Sequence, residues 1–278
     1  MAARTIPSTT ARRAAPHGTS PTRIAAGLLG LLALPAGAAP LLDVNFDNVT
    51  GLSAPGSVKT IQNILNTPGE LPAGTTASQT APSTRNINVR RSDDAINTSS
   101  WAVTMGFGSF FTRPGVTNQF LVLGDRSGAI GDPVGVGTFL VALPFVVPTL
   151  GSLTLSFDYA FNGLDNSSVD TDAFSARIVD QLDPLNFFDL MSPLASPAFG
   201  SGRVERTLDV SANLASLAGR VSYLEFKLVQ GGSGTTSAVG IDNIRAVPEP
   251  GTALLLGIGL AALTGSAVAT RRRRGDPA

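Results

Sequence analysis

The chain has 278 residues, with 20 basic and 20 acidic side chains, one histidine and no cysteine. The single histidine is His17, so the chain beyond residue 38 contains neither histidine nor cysteine. This composition excludes Ser-His-Asp and Cys-His catalysis from that region, together with any zinc site that needs histidine or cysteine ligands.

The first 38 residues are predicted to form a secretory signal peptide. Four arginines precede an apolar run at 24–34, and Ala36 and Ala38 then form an Ala-x-Ala cleavage site. Cleavage is expected after Ala38, because cleavage one residue later would place Pro40 at the first mature position. The expected partners are signal peptidase and the secretion machinery, with the general secretion route favoured over the twin-arginine route.

The region at 39–246 is acidic. Four of the 20 basic residues lie in the signal peptide and four lie after residue 270, which leaves twelve in this region. Two of the 20 acidic residues lie after residue 248, which leaves eighteen. This excess of negative charge argues against nucleic acid and anionic surfaces as partners, and it is compatible with neutral glycans or divalent cations.

Residues 39–246 are predicted to be β-structure. The clearest strand, 153–161, alternates apolar and polar residues, which indicates one buried face. Asp242 and Asn243 interrupt the alternation of the last strand and indicate a β-bulge, whereas the Gly- and Pro-rich stretch at 51–83 is predicted to form long loops or a weakly ordered insertion. The predicted strands are 42–46, 87–91, 101–107, 119–123, 138–147, 153–161, 174–179, 204–210, 223–229 and 239–247.

Many short strands without alternating helices favour an antiparallel, jelly-roll-like β-sandwich. The segments 155–159, 172–178 and 240–244 are similar to carbohydrate-binding jelly rolls, whose closing strand often reads Ile-Asp-Asn/Asp-Val. This resemblance implies a structural calcium ion where the first and last strands meet, with Asp47 and Asp242 as ligands. The alternative for both residues is a turn-capping role.

A second candidate calcium site lies in an acidic loop. Asp165, Asp170 and Asp172 are close together in the sequence, and calcium takes six to eight oxygen ligands from loops of this kind. The alternative is a polar hairpin loop without a metal ion.

Other polar and aromatic residues are candidates for carbohydrate chemistry. A glycosidase needs two carboxylates, and the glutamates at 39–246 are Glu70 in a loop and Glu205 and Glu225 on outward strand faces. Trp101 and Tyr223 are the candidate residues for stacking on a sugar ring.

The chain ends in three consecutive segments. Val247, Pro248, Glu249 and Pro250 are followed by an uncharged run at 251–270 and then by Arg271, Arg272, Arg273 and Arg274. About twenty apolar residues in a helix span the hydrocarbon core of a membrane, and the arginines are expected to stay in the cytoplasm. The prolines hold the chain extended, and an extended, unpaired strand suits the cleft of a protease. The alternative is a simple membrane anchor with a Pro-rich hinge.

This tail resembles the PEP-CTERM sorting signal of Gram-negative bacteria. The resemblance implies processing by exosortase, a membrane-embedded cysteine protease or transpeptidase, and a precursor anchored in the inner membrane before transfer to the cell surface or extracellular space. It divides the chain into a signal peptide (1–38), a β-sandwich ectodomain (39–246) and a sorting signal (247–274).

Three functions remain open for the ectodomain. The favoured one is a non-catalytic structural or adhesive module linked to exopolysaccharide or biofilm. The alternatives are a calcium-stabilised carbohydrate-binding module and, third, a carboxylate glycosidase.

Overall fold

The computed structural model describes residues 39–80, 85–93, 110–111, 117–126, 137–163, 171–196, 198–231 and 237–249. Almost all of the regular structure in them is β-strand. The elements in chain order are β1 (Leu42–Val44), β2 (Val58–Thr60), α1 (Ile61–Leu65), β3 (Thr76–Thr80), β4 (Arg85–Arg91), β5 (Gln119–Arg126), β6 (Gly137–Val146), β7 (Ser152–Asn162), β8 (Ala173–Asp180), β9 (Phe187–Asp189), β10 (Leu194–Ala195), β11 (Phe199–Asp209), α2 (Val210–Asn213), β12 (Val221–Gln230) and β13 (Ala238–Glu249).

The strands form two antiparallel sheets, which confirms the predicted all-β class. The first sheet has the order β11-β7-β13-β5-β4-β2, with β1 also paired to β13. The second has the order β10-β8-β12-β6-β3, with β9 also paired to β8. The first and last strands of the described residues are therefore neighbours, as the resemblance to carbohydrate-binding jelly rolls implies.

The hydrophobic core lies between the two sheets. Leu155 and Phe157 of β7 are fully buried, and so are Leu224 and Phe226 of β12. The rings of Phe157 and Phe226 meet edge to face with their centroids 4.9 Å apart. Because each fully buried side chain of this size contributes about 1.5–3 kcal/mol, the alternating faces of β7 and β12 account for much of the attraction between the sheets.

The prediction of loops or a weakly ordered insertion at 51–83 is wrong for the residues at 58–65 and 76–80, and 81–83 lies outside the described residues. This stretch contains β2, α1 and β3, and β3 pairs with β6 along its whole length. The hydroxyl of Thr60 accepts the N–H of Asn63 and caps α1, and the side chains of Ile61 and Ile64 are fully buried. These elements are too short to produce a recognisable hydrophobic period in the sequence.

Several other predictions differ from the structure at their boundaries. β11 begins at Phe199, earlier than predicted, and pairs with β7 over its full length. The predicted strand at 101–107 lies outside the described residues. Within the described ranges, no helix is long and apolar enough to cross a membrane, and the predicted membrane segment at 251–270 lies outside those ranges.

The predicted β-bulge is confirmed. The register of β13 against β7 shifts between Asp242 and Arg245. Asn243 adopts a φ of 51°, in the left-handed region, and its Nδ2 donates to Oδ2 of Asp158 at 2.6 Å. The side chain of Asp158 thus holds an asparagine, one of the residues that tolerate this backbone conformation.

Candidate functional site

The first residues of the sorting motif belong to the folded sheet. Val247, Pro248 and Glu249 are the last residues of β13, and they lie opposite residues 152–154 of β7. The Oγ1 of Thr154 donates to Oε1 of Glu249 at 2.7 Å. The expectation of an extended chain is confirmed for these three residues, but the expectation that they are unpaired is wrong.

The paired part of the motif has a strand partner on one side only, as far as the structure describes the chain. On the other side of β13, β1 is paired as far as Ala246, whose carbonyl accepts the N–H of Leu41 at 2.7 Å. Pro248 has no N–H and cannot donate to either neighbour. The end of β13 is therefore held less tightly than its middle.

The structure connects Asp47 and Asp242 to consecutive residues at the start of β5. The backbone N–H of Gln119 donates to Oδ1 of Asp47 at 3.0 Å, and Nδ2 of Asn118 donates to Oδ2 of Asp242 at 2.8 Å. Asp242 is fully buried. Among the described residues, however, no group of three or more acidic or histidine side chains is arranged to hold a metal ion, so calcium at this junction stays a prediction.

Asp172 connects the two ends of the segment between β12 and β13. Its Oδ1 accepts the N–H of Gly231 at 2.6 Å, and its Oδ2 accepts the N–H of Ser237 at 2.7 Å. Its own N–H donates to Oγ of Ser196 at 3.0 Å, and the residue is 1% exposed. This arrangement gives Asp172 a role in holding the backbone that needs no metal ion.

Ten of the residues proposed for sites from the sequence lie outside the described residues. They are Ala36, Ala38, Trp101, Asp165, Asp170, Pro250, Arg271, Arg272, Arg273 and Arg274.

Glu70 fixes the loop before β3 to the rest of the fold. Both of its oxygens lie 2.7 Å from Nζ of Lys59, and Oε1 also accepts the N–H and the hydroxyl of Thr50. Burial acts to raise the pKa of Glu70, but the hydrogen bonds from Lys59 and Thr50 outweigh it, and the pKa is lowered. Glu70 is thus an ionised anchor, which does not suit a general acid.

The outer face of the second sheet carries a strip of polar and aromatic side chains. Nε of Arg177 donates to Oε1 of Glu225 at 2.6 Å, and the guanidinium carbon lies 5.0 Å from the centroid of the Phe187 ring. The hydroxyl of Tyr223 accepts from Nε2 of Gln181 at 3.1 Å. We call Arg177, Phe187, Tyr223 and Glu225 the outer strip.

Sequence reasoning found Tyr223 and Glu225 of the outer strip and missed Arg177 and Phe187. Glu225 lies on the outward face, as predicted, although its pairing with Arg177 leaves it only 8% exposed. Arg177 lies directly opposite Asp189 of β9, and Phe187 is in the same short strand. No sequence signal marks a strand of three residues, so this contact was not visible before the structure.

The comparison with protein families supports the prediction of a sorting signal at the C-terminal tail. The model of the PEP-CTERM protein-sorting motif matches residues 246–274, which confirms the resemblance. A comparison with curated proteins found no match.

The solved structures to which this chain is similar include three that share 8–12% identity with it. The enzymatically active domain of bacteriophage CBA120 tailspike protein 4 has 12% identity and a TM-score of 0.33, covering 63% of this chain and 19% of that chain. TmCBM61 in complex with β-1,4-galactotriose has 9% identity and a TM-score of 0.32, covering 64% of this chain and 91% of that chain. The CBM22-1 xylan-binding domain of Paenibacillus barcinonensis Xyn10C has 8% identity and a TM-score of 0.32, covering 77% of this chain and 96% of that chain. This chain therefore spans about a fifth of the tailspike protein.

Proposed function

We propose that this chain, which carries a PEP-CTERM protein-sorting motif at residues 246–274, is the precursor of a surface or extracellular-matrix protein. The motif implies export, anchoring in the membrane and processing by exosortase. We propose that the β-sandwich then acts as a structural or adhesive module linked to exopolysaccharide or biofilm. One observation carries the proposal: the motif begins inside β13, so no linker separates the folded domain from its sorting signal.

The side chains of the domain support the proposal that it is a module without catalytic activity. The chain beyond residue 38 has no histidine or cysteine. Glu70 is paired with Lys59, Glu205 with Arg203 and Glu225 with Arg177. A glycosidase needs one carboxyl group that is protonated and one that is free to act as a nucleophile or base, and these pairings favour neither.

The experiment that tests the proposal changes both prolines of the motif. Pro248→Ala together with Pro250→Ala is expected to leave an unprocessed precursor in the membrane, because the rigid extended segment is lost. The intact mass of the protein from a host with exosortase measures this. Pro68→Ala with Pro72→Ala, two prolines in the loop before β3, is the matched control and should be processed normally. Equal processing of the motif variant and the wild type would rule the proposal out.

A second candidate function, a carbohydrate-binding module, is favoured by the outer strip. An aromatic ring beside paired charged groups offers both stacking and hydrogen bonds to a sugar. Purified residues 39–249 should then bind members of a glycan array, and Tyr223→Ala and Arg177→Ala should weaken this binding. Turnover of a glycoside by the same protein would instead support the carboxylate glycosidase.

A further inference from the structure

Five exposed aliphatic side chains lie at one end of the sandwich. Leu150, Leu182 and Leu185 are 78%, 89% and 87% exposed, and Val146 and Val221 are 50% and 42% exposed. We call these five residues the apolar rim. They make up five of the eleven large hydrophobic residues that are exposed in the described part of the chain, so the rim is a concentration of such residues and not a scatter.

Strand pairing brings the members of the rim together. Val146, the last residue of β6, lies directly opposite Val221, the first residue of β12. The N–H of Gln181 donates to the carbonyl of Val221 at 3.2 Å. The turn that carries Leu182 and Leu185 therefore begins beside this valine pair.

The chain leaves the domain at the same end. Glu249, the last residue of β13, is paired with Ser152 at the start of β7, two residues after Leu150. The uncharged segment begins at Gly251. Two residues of extended chain span at most about 7 Å, which is comparable with the thickness of the headgroup region on one side of a bilayer.

We propose that the apolar rim contacts the lipid of the membrane's outer surface, on the side opposite the cytoplasmic arginines, while the precursor is anchored. The inference rests on the membrane-anchored precursor of the proposed function. The short connection leaves this end of the domain no room to stay away from the lipid interface. Leucines that protrude from separate turns can enter a fluid interface, whereas they do not form a continuous groove for a protein partner.

The charged groups at this end do not favour anionic lipid. Asp180 forms an ion pair with Arg220 at 2.5 Å, Asp183 accepts the N–H of Leu185 at 3.1 Å, and Asp209 caps α2. Glu249 lies at this end as well, and four carboxylates against one guanidinium give a net negative charge. The contact is therefore apolar, and it should occur on uncharged lipid and persist in high salt.

The contact also explains how the domain can be released. A few protruding leucines bind a membrane weakly and reversibly, in the way that a single lipid chain does. The membrane segment raises their effective concentration at the surface, and its removal ends that effect. The rim should hold the precursor in a fixed orientation and let go of the membrane once the tail is cleaved.

The test uses the precursor reconstituted into phosphatidylcholine vesicles. The chain has no cysteine, so Leu150→Cys, Leu182→Cys and Leu185→Cys can each carry one environment-sensitive fluorophore. The matched control is Phe199→Cys, because Phe199 is 71% exposed and lies opposite Asn162 at the other end of β7. We expect a blue shift and quenching by nitroxide-labelled lipid at the three rim positions and not at residue 199, with loss of both signals when the tail is cut off.

Each other outcome counts against a defined part of the account. If the precursor floats with the vesicles but the labels at the rim positions are not quenched, the lipid contact is overturned. The membrane anchor of the proposed function would then still stand. A blue shift without quenching by the nitroxide-labelled lipid, seen only when exosortase is added, would replace the lipid by a protein partner. Failure of the precursor to float with vesicles at all would instead contradict the membrane anchor of the proposed function.

Discussion

Asp172 is the side chain whose removal should disturb the fold most directly. Both of its oxygens accept backbone N–H groups, from Gly231 and Ser237, in a buried position. In Asp172→Asn one oxygen is replaced by a donor that faces another donor. We expect the free energy of unfolding to fall by about 1–3 kcal/mol, measured by urea denaturation.

The control for this variant is Asp189→Asn, which changes an exposed carboxylate in β9. Equal stability of Asp172→Asn and the wild type would contradict the role in holding the backbone. A difference that disappears in chelator would show that Asp172 acts through calcium, as the sequence hypothesis has it.

Glu70 should make stability depend on acid pH. Its folded-state pKa is lowered, so its carboxylate stabilises the fold above the ordinary pKa of the unfolded chain, and this contribution is lost as the pH falls through the lower folded value. The wild type should thus be more stable than Glu70→Gln at neutral pH, and this difference in the free energy of unfolding should shrink as the pH becomes acidic. Denaturation over a series of pH values measures it. Glu205→Gln, at an exposed side chain, is the control, and a gap that stays constant with pH would refute the prediction.

At the level of single elements, the sequence predicts the strands that bury one face. The sequences of β7 and β12 alternate because their inward residues fill the core, although Ser156, Ala160 and Glu225 on the outward faces are buried as well. β3 has the sequence TASQT, and its Ala77 is only partly buried against the core. An edge strand with one small inward residue has no apolar alternation, which is why it was missed.

The position of Pro144 in the sheet agrees with the prediction from the sequence. The sequence predicts that a strand is interrupted at this proline or lies at the edge of a sheet there. In the structure, β3 begins at Thr76, opposite Ala142, so β6 continues past the paired region with β12 as its described partner, and Pro144 lies in this extension opposite Tyr223. A proline is tolerated there because one side of the strand needs no donor.

The pairing of β13 with β7 implies that processing requires the strand end to separate. Val247 lies opposite Thr154. Val247→Cys with Thr154→Cys should form a disulfide in an oxidising compartment and fix the motif in the sheet. We expect the oxidised double variant to accumulate as precursor, and a membrane-permeant reductant to restore processing, as followed by gel mobility.

Each single-cysteine variant serves as a control and should be processed like the wild type. If the cross-linked double variant were also processed at the wild-type rate, exosortase would read the motif without separating it from β7.

For the whole molecule, the sequence indicates which ends meet but not which side chains touch. The resemblance to carbohydrate-binding jelly rolls implies that the first and last strands meet, and the structure connects Asp47 and Asp242 to Gln119 and Asn118 at the start of β5. The contact of Arg177 with Phe187 depends on β9 folding back on β8. Such pairing depends on the whole fold, so no local pattern of residues reveals it.

Calcium binding is a prediction about the whole domain. Eighteen acidic residues against twelve basic ones repel each other in one fold, and a bound cation relieves this repulsion. A hundredfold excess of calcium over its Kd is worth about 2.7 kcal/mol, which raises the melting temperature of such a domain by roughly 5–10 °C. Melting of residues 39–249 in calcium and in chelator measures this.

Two variants distinguish the candidate calcium sites. Asp170→Ala should remove the shift if the acidic loop binds the ion, and Asp242→Ala should remove it if the strand junction does. Identical melting curves in calcium and in chelator would exclude both.

The most direct test of the central claim, that the tail is a sorting signal for exosortase, is the intact mass of the protein with and without that enzyme. In a host that has exosortase, the domain should lack the membrane segment and the four arginines and should leave the membrane fraction. In the same host without exosortase, the chain should keep its residues through Ala278 and stay in the membrane. The same full-length mass in both hosts would contradict the claim.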